Sequence, residues 1–360
     1  MDTIDTPQGT GNIDEEPIVG TANYTQLEMA EIAESRSISP MRAAARRFAR
    51  DKRAVFCLAI VLIIVVGSFV FPPIYRHIGP TIVGGITGTQ HVGPTDYHDP
   101  LNVDLSSSDT PGTLFPLGPN SMVHPLGTDT IGRDIFARLL GGINISIELA
   151  LMVEVFDIGL GVVLGTLAGW FGGGLGLVLD RFTDIVFAFP GLLLILLMGA
   201  SLGPLFDNWF HNNAVFGRML LLTLAIGLLS WPLMMRYVRG QTLELKERQF
   251  VEAAHTVGTS TVNILKRHIV PNVLPIVIVA STLNILATIV GEAGISLLGA
   301  GLQPPATSLG LMISDAQSKI YSPTAWTEEL WPCLVLIIIV ISFSFMGDGV
   351  SDAFNPRKKD

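Results

Sequence analysis

Six apolar runs, near residues 54–71, 143–169, 182–202, 219–238, 273–299 and 331–347, constrain this chain more than any other feature. A helix needs roughly 20 apolar residues to cross a bilayer core, with about 17–25 common. No water reaches the backbone there, so such runs must satisfy their own N–H and C=O groups as helices. The second and fifth runs are long enough to tilt or to project beyond the bilayer. Of 360 residues, 49% are apolar and only 15% charged, against about 25% charged in soluble domains. The expected fold is an all-α polytopic membrane protein with six transmembrane helices. A formal net charge of -9 argues against a nucleic-acid partner, because a polyanion requires a basic face.

Lys and Arg set the orientation. Seventeen of the 22 fall on one side, in residues 36–53, at span ends, in the loop 239–272 and at the C-terminus. That side is expected to be cytoplasmic, with both chain termini on it. The first 53 residues are polar, so the first apolar run should act as an uncleaved anchor. Residues 1–35 are acidic and poor in apolar side chains, which predicts a disordered cytoplasmic tail. Residues 36–53 turn basic and predict an interfacial helix that meets anionic lipid headgroups, with Met41 and Phe48 dipping inward. Cys57 and Cys333 fall near opposite faces, which predicts two free thiols.

The remaining boundaries follow from these runs. A first span (54–71) leads into an extracytoplasmic loop (72–142), then five spans (143–347), then a short cytoplasmic tail (348–360). In the outer loop "GTDTIGRDIFARLLGG" predicts a short interfacial helix, capped by Thr128 or Asp129, with Ile131, Ile135, Phe136, Leu139 and Leu140 at helical spacing.

Two patterns stand out inside the spans. Gly161, Gly165 and Gly169 recur every four residues, so on a helix they line one face and let a neighbouring backbone approach. Glu154, Asp157 and Glu292 are ionisable groups within apolar runs, which are costly and point to a polar passage or to interhelical hydrogen bonds. Asp184 and Glu148 lie nearer span ends, where headgroup water can solvate them.

The cytoplasmic loop 239–272 carries "QTLELKERQFVEAAHTV" (241–257), which reads as helix, with Gly258 placed to stop it in the left-handed conformation. "TSTVNILKRHIV" predicts a second short helix, and Pro271 and Pro275 predict a break before the fifth span. The picture is a short helix protruding from the membrane and held by spans on both sides.

"EAA", then Gly258 after three residues, then "ILKRHIVPN", resembles the EAA loop of integral membrane subunits of bacterial ABC importers. "HPLGTDTIGRDIFARLLGGINISIELAL", "GEAGISLLGAGLQPP" and "MGDGVSDAFNPR" extend the resemblance to the C-type permease subunit of the dipeptide/oligopeptide branch. Leu309 stands where that branch usually carries Trp, and the acidic tail and outer loop are longer than the branch leads one to expect.

The resemblance implies a type I ABC importer permease fold over 143–347. It implies a homologous permease subunit, two ATP-binding subunits that hold ATP and Mg, an extracytoplasmic solute-binding protein, and a peptide as the transported solute. The chain has no G-x-x-x-x-G-K-[ST] phosphate loop, so no nucleotide hydrolysis and no cofactor are expected of it. By the same resemblance Glu252, Ala253, Ala254 and Gly258 contact the ATPase, and Phe250, His268 and Pro271 shape the loop. Gly127, Asp129, Gly132, Arg133 and Asp134 are the candidates for docking the binding protein, with capping of the outer helix as an equal alternative for Asp129 and Asp134.

Two other classes fit less of the chain. A nickel permease of the same superfamily would share the motifs, but His77, His91, His98, Asp99 and His124 show no tight ligand spacing, so no metal site is expected. A secondary transporter would explain intramembrane acids, but it needs no protruding loop helix, and no inverted repeat is visible.

Overall fold

The structure, a computed structural model, describes residues 40–87, 126, 127, 129, 133–319, 321 and 325–354. The acidic tail, Thr128, Gly132, His91, His98, Asp99, His124 and the last six residues lie outside the described residues, as does the side chain of His77. The chain divides into two compact units, Met1–Ala43 and Ala44–Asp360, and the bundle of long helices belongs to the second.

The described residues form helices α1 (Pro40–Phe48), α2 (Lys52–Thr87), α3 (Ile135–Phe171), α4 (Gly173–Ala188), α5 (Gly191–Trp209), α6 (Ala214–Lys246), α7 (Gln249–Thr256), α8 (Thr261–Ile264), α9 (Val270–Leu297), α10 (Leu309–Gln317) and α11 (Ala325–Phe354). A π turn, Leu265–Ile269, carries α8 into α9. By length and composition Lys52–Tyr75, α5, α6, Thr261–Leu297 and Glu328–Phe354 can each cross a membrane. The sixth long helix, α3, has 37 residues, about 55 Å at 1.5 Å per residue. More than half of its residues are buried.

The bundle is assembled around α3, which packs along α6 and also touches α2, α9 and α10. Lipid tails are as apolar as leucine, so close packing and interhelical hydrogen bonds, rather than escape from water, hold such helices together. At one end Ile135, Leu139, Ile143 and Ile147 of α3 meet Ile289 of α9, Leu309 of α10 and Ile339 and Phe343 of α11. At the other, basic end, Trp170, Val238, Leu245, Val251, Ile264 and Ile269 share a second cluster. Phe56, Ile63, Leu193, Leu197 and Ile337 remain exposed, as a lipid-facing surface requires. Cys57 and Cys333 are free thiols.

Several local expectations are corrected. The apolar run 182–202 is not one helix: α4 ends at Ala188 and α5 starts at Gly191. Pro190 forces Phe189 out of the helical region, to φ -79 and ψ 135. The third span is therefore α5, while α4 lies across the basic end, where Asp180 pairs with Arg239 at 2.7 Å and Asp184 with Arg236 at 2.7 Å. The separate outer helix does not form either, because α3 runs unbroken from Ile135 through the second span. Its cap is Asp134, whose carboxylate accepts from Ala137 N at 3.0 Å, rather than Thr128 or Asp129.

Residues 241–257 are not one helix, because α6 stops at Lys246 and Arg248 adopts an extended conformation before α7. Pro271 and Pro275 do not break α9. Pro271 follows directly on the π turn Leu265–Ile269, where Val270 N already donates five residues back to Leu265 O, and Thr261–Leu297 continues through it as one span. The first span likewise continues past residue 71 as helix to Thr87.

Candidate functional site

The short helix α7 stands off the basic end of the bundle. Val251, fully buried, is its anchor among Trp170, Leu245, Ile264 and Ile269. Glu252, Ala253 and Thr256 point away from that anchor and are exposed; His255, one turn on from Val251, is exposed too, and Ala254 is half-buried at the edge. Two backbone bonds close the helix: Gly258 N donates to His255 O at 2.9 Å and Thr259 N to Ala254 O at 3.0 Å. This Schellman closure needs a left-handed residue, and Gly258 supplies it with φ 81. Beyond it Val257 is 85% exposed, an apolar side chain with no cover from its own chain. Phe250 lies 6.2 Å from the His268 ring, which ties α7 to the π turn, while Pro271 is exposed at the start of α9.

The sequence reading missed three residues that seat this helix. The His255 imidazole stacks on the Trp170 indole at 5.6 Å with 10° between planes. Lys246, the last residue of α6, donates from Nζ to the Trp170 carbonyl at 2.7 Å and lies 5.7 Å over its ring. The only signal for this in the sequence is a tryptophan closing an apolar run.

Directly above Trp170 the three glycines face α6. A Cβ on Gly161 would lie 2.5 Å from Met234 Cγ, on Gly165 2.6 Å from the Met235 carbonyl oxygen, and on Gly169 2.7 Å from Thr242 Cβ. Real side chains do not approach so closely, so the seam exists only because these positions lack Cβ. Gly227 of α6 reciprocates, since a Cβ there would lie 2.6 Å from Phe156 of α3.

The three intramembrane acids fall in two places. Asp157, fully buried, accepts from Ser230 Oγ of α6 at 2.8 Å and from Asn284 Nδ2 of α9 at 2.6 Å. The same amide donates to Glu154 at 2.8 Å. Ser230 and Asn284 are also the polar wall of a groove of about 380 Å³ between α6 and α9, otherwise lined by Met234, Tyr237, Val279 and Leu283. Glu292 is elsewhere. It is 1% exposed and accepts from Ser296 Oγ at 2.8 Å, Ser308 Oγ at 2.7 Å and Ser146 Oγ at 3.3 Å. It knots α3, α9 and the segment leading into α10, so it does not line an open passage.

The candidates for outer docking also turn inward. Asp129 is 1% exposed and sits between Arg133, at 2.6 Å, and Arg138, at 2.8 Å. Both arginines reach Asp315, at 3.3 and 2.8 Å, which joins this corner to α10. Asp134 caps α3 and accepts from the Tyr75 hydroxyl at 3.0 Å. Gly127, with φ 82, turns the chain so that its carbonyl accepts from Ile135 N. Both carboxylates are buried and paired, so neither is presented at the surface of this chain. Arg138 and Asp315, unnoticed in the sequence, complete their network.

Long lipid-facing helices, a glycine seam and a short exposed helix slung between two spans define the class, a multi-pass membrane protein. Known proteins then specify it. Residues 161–360 match the family described as "Binding-protein-dependent transport system inner membrane component", and residues 39–98 match "N-terminal TM domain of oligopeptide transport permease C". The chain belongs to the first of these families, whose members are membrane permease subunits of ABC importers and not themselves enzymes, the ATPase being a separate subunit.

Similar proteins include the oligopeptide transport system permease protein OppC of Mycobacterium tuberculosis, 32% identical over 92% of this chain and 98% of that one. The dipeptide transport system permease protein DppC of Alkalihalophilus pseudofirmus is 31% identical over 90% of this chain and 92% of that one. The glutathione transport system permease protein GsiD of Pectobacterium atrosepticum is 34% identical over 67% of this chain and 75% of that one. Among solved structures, a chain of the inward-facing MetNI methionine ABC transporter aligns with TM-score 0.48 at 19% identity, over 61% of this chain and 98% of that chain.

Proposed function

We propose that this permease subunit moves di- or oligopeptides, delivered by an extracytoplasmic solute-binding protein, through a path it forms with a homologous permease subunit. Two ATP-binding subunits hold the ATP and Mg, and one of them docks on α7, so that the basic end of the bundle and both termini lie in the cytoplasm. The names of the similar proteins support the peptide as cargo.

One observation carries the docking. The outer face of α7 presents Glu252, Ala253 and the exposed Val257, while Val251 roots the helix in the bundle. The small Ala253 side chain, with Ala254 at the edge, lets a partner's groove close around the helix, Glu252 pairs with a basic group at its rim, and Val257 is buried on contact. The groove floored by Ser230 and Asn284, with Glu154 and Asp157 behind it, faces the path; Glu292 does not.

The test is reconstitution of the four-subunit complex in proteoliposomes with its binding protein. ATP hydrolysis stimulated by the loaded binding protein, with uptake of labelled tripeptide into the vesicle, is the expected result. Uptake that persists without the ATPase subunits would overturn the reading.

A further inference from the structure

The joint at Trp170 explains how movement of so small a helix reaches the spans. The helix α7 has eight residues. Its two flanking links, residues 247–248 and 257–260, are not helical. A helix joined only by such links would swing without moving anything else. Three contacts prevent that: Val251 in the buried cluster that includes Trp170, His255 stacked on Trp170, and Phe250 against the His268 ring. Two of the three lead to Trp170, which Lys246 also ties to the end of α6.

Trp170 is also the residue next to Gly169, where the backbones of α3 and α6 come together without side chains between them. Close-packed interiors transmit displacement because they have no slack to absorb it. The Trp170 carbonyl belongs to the last turn of α3, whose carbonyls lack intrahelical partners, and Lys246 satisfies it from the end of α6. The ring therefore connects the ends of both seam helices to the exposed face of α7.

We propose that Trp170 is the positioning residue that transmits displacement of α7 to the α3–α6 glycine seam, with His255 as its contact on α7. This rests on α7 being the helix that docks the ATPase. Trp170 touches neither nucleotide nor solute; it acts through His255 and Lys246.

The experiment uses the assembled complex in proteoliposomes and reads the ratio of ATP hydrolysis with and without the loaded binding protein, together with copurification of the ATPase subunits. Trp170→Ala is expected to lower that ratio about fivefold or more, in the range of ordinary coupling between sites, with ATPase subunits still bound. Trp170→Phe, which keeps a ring for His255, should restore most of it, whereas a merely structural role would give no such rescue. His255→Ala, on an exposed side chain that folding does not need, should reproduce the loss even where Trp170→Ala fails to accumulate. An unchanged ratio in His255→Ala, or equal losses in Trp170→Ala and Trp170→Phe, overturns the proposal. Ala253→Glu runs in parallel. If it too leaves stimulation intact, the docking of α7 is wrong; if it abolishes stimulation while His255→Ala does not, only the Trp170 joint is.

Discussion

Asn284 holds two carboxylates with one amide, donating to Glu154 at 2.8 Å and to Asp157 at 2.6 Å. Because Asp157 also accepts from Ser230, this group ties α3, α6 and α9 together inside the membrane. Leaving a buried polar group without its partner costs about 1–3 kcal/mol. Asn284→Leu should therefore lower the thermal unfolding midpoint of the detergent-solubilised protein. Adding Glu154→Gln and Asp157→Asn should recover part of the loss. Unfolding curves of the three variants decide it, and no loss in Asn284→Leu would show that the pair is satisfied by water.

The glycine seam gives a second prediction with its own control. Gly165→Val must displace the Met235 carbonyl, which a Cβ would approach to 2.6 Å; overpacking of this kind costs about 1–3 kcal/mol. Gly159, on the same helix, has nothing within 4 Å of its added Cβ, and Gly159→Ala should stay within about 0.5 kcal/mol of the parent. Equal effects at the two positions would mean that α3 and α6 do not meet as described.

Gly258 separates strain from crowding. Its added Cβ would meet nothing within 4 Å, yet its φ is 81. Gly258→Val should be disfavoured by about 1–2 kcal/mol through backbone conformation alone. Asn visits this conformation more readily, so Gly258→Asn should keep most of the activity. Stimulated ATP hydrolysis in the reconstituted complex is the readout, and equal losses in both variants would count against the left-handed cap.

At the opposite end Arg138 bridges Asp129 and Asp315. Breaking a buried pair by removing one partner costs about 3–5 kcal/mol, and Arg133 remains to hold Asp129, so Arg138→Ala should fall near the lower figure. Faster proteolysis around α10 in vesicles is the expected observation. Proteolysis indistinguishable from the parent would show that Arg138 is dispensable.

The spans were legible because membrane crossing demands length and hydropathy, and both are local. So was the end of α7, since Gly258 is the kind of residue a Schellman closure requires. The break at Phe189–Pro190 was written in the sequence as a proline, but an apolar run on both sides hid it. The break between α6 and α7 was not written at all. No glycine or proline stands in "LKERQF"; the chain turns there because Val251 is drawn into the cluster of Trp170, Ile264 and Ile269. Sequence left Glu292 open between a polar passage and interhelical hydrogen bonds because its partners Ser146 and Ser308 are far from it in sequence and only the fold brings them together. A cap at Asp134 was open to a sequence reading, but the network that buries it and Asp129 was not, since Tyr75, Arg138 and Asp315 come from other elements or other turns.

Coupling through α7 requires that this helix meet an ATPase, and a cross-link tests that contact directly. The native thiols, Cys57 and Cys333, are free, so both are first changed to Ser and Ala253→Cys is introduced. The complex is purified with its ATPase subunits and treated with a short heterobifunctional cross-linker, thiol-reactive at one end and photoreactive at the other, so that the second bond needs no cysteine on the partner. The expected result is an adduct between this chain and an ATPase subunit, absent when the single cysteine is placed instead at Phe216, at the far end of α6. An adduct from Phe216→Cys and none from Ala253→Cys would contradict it.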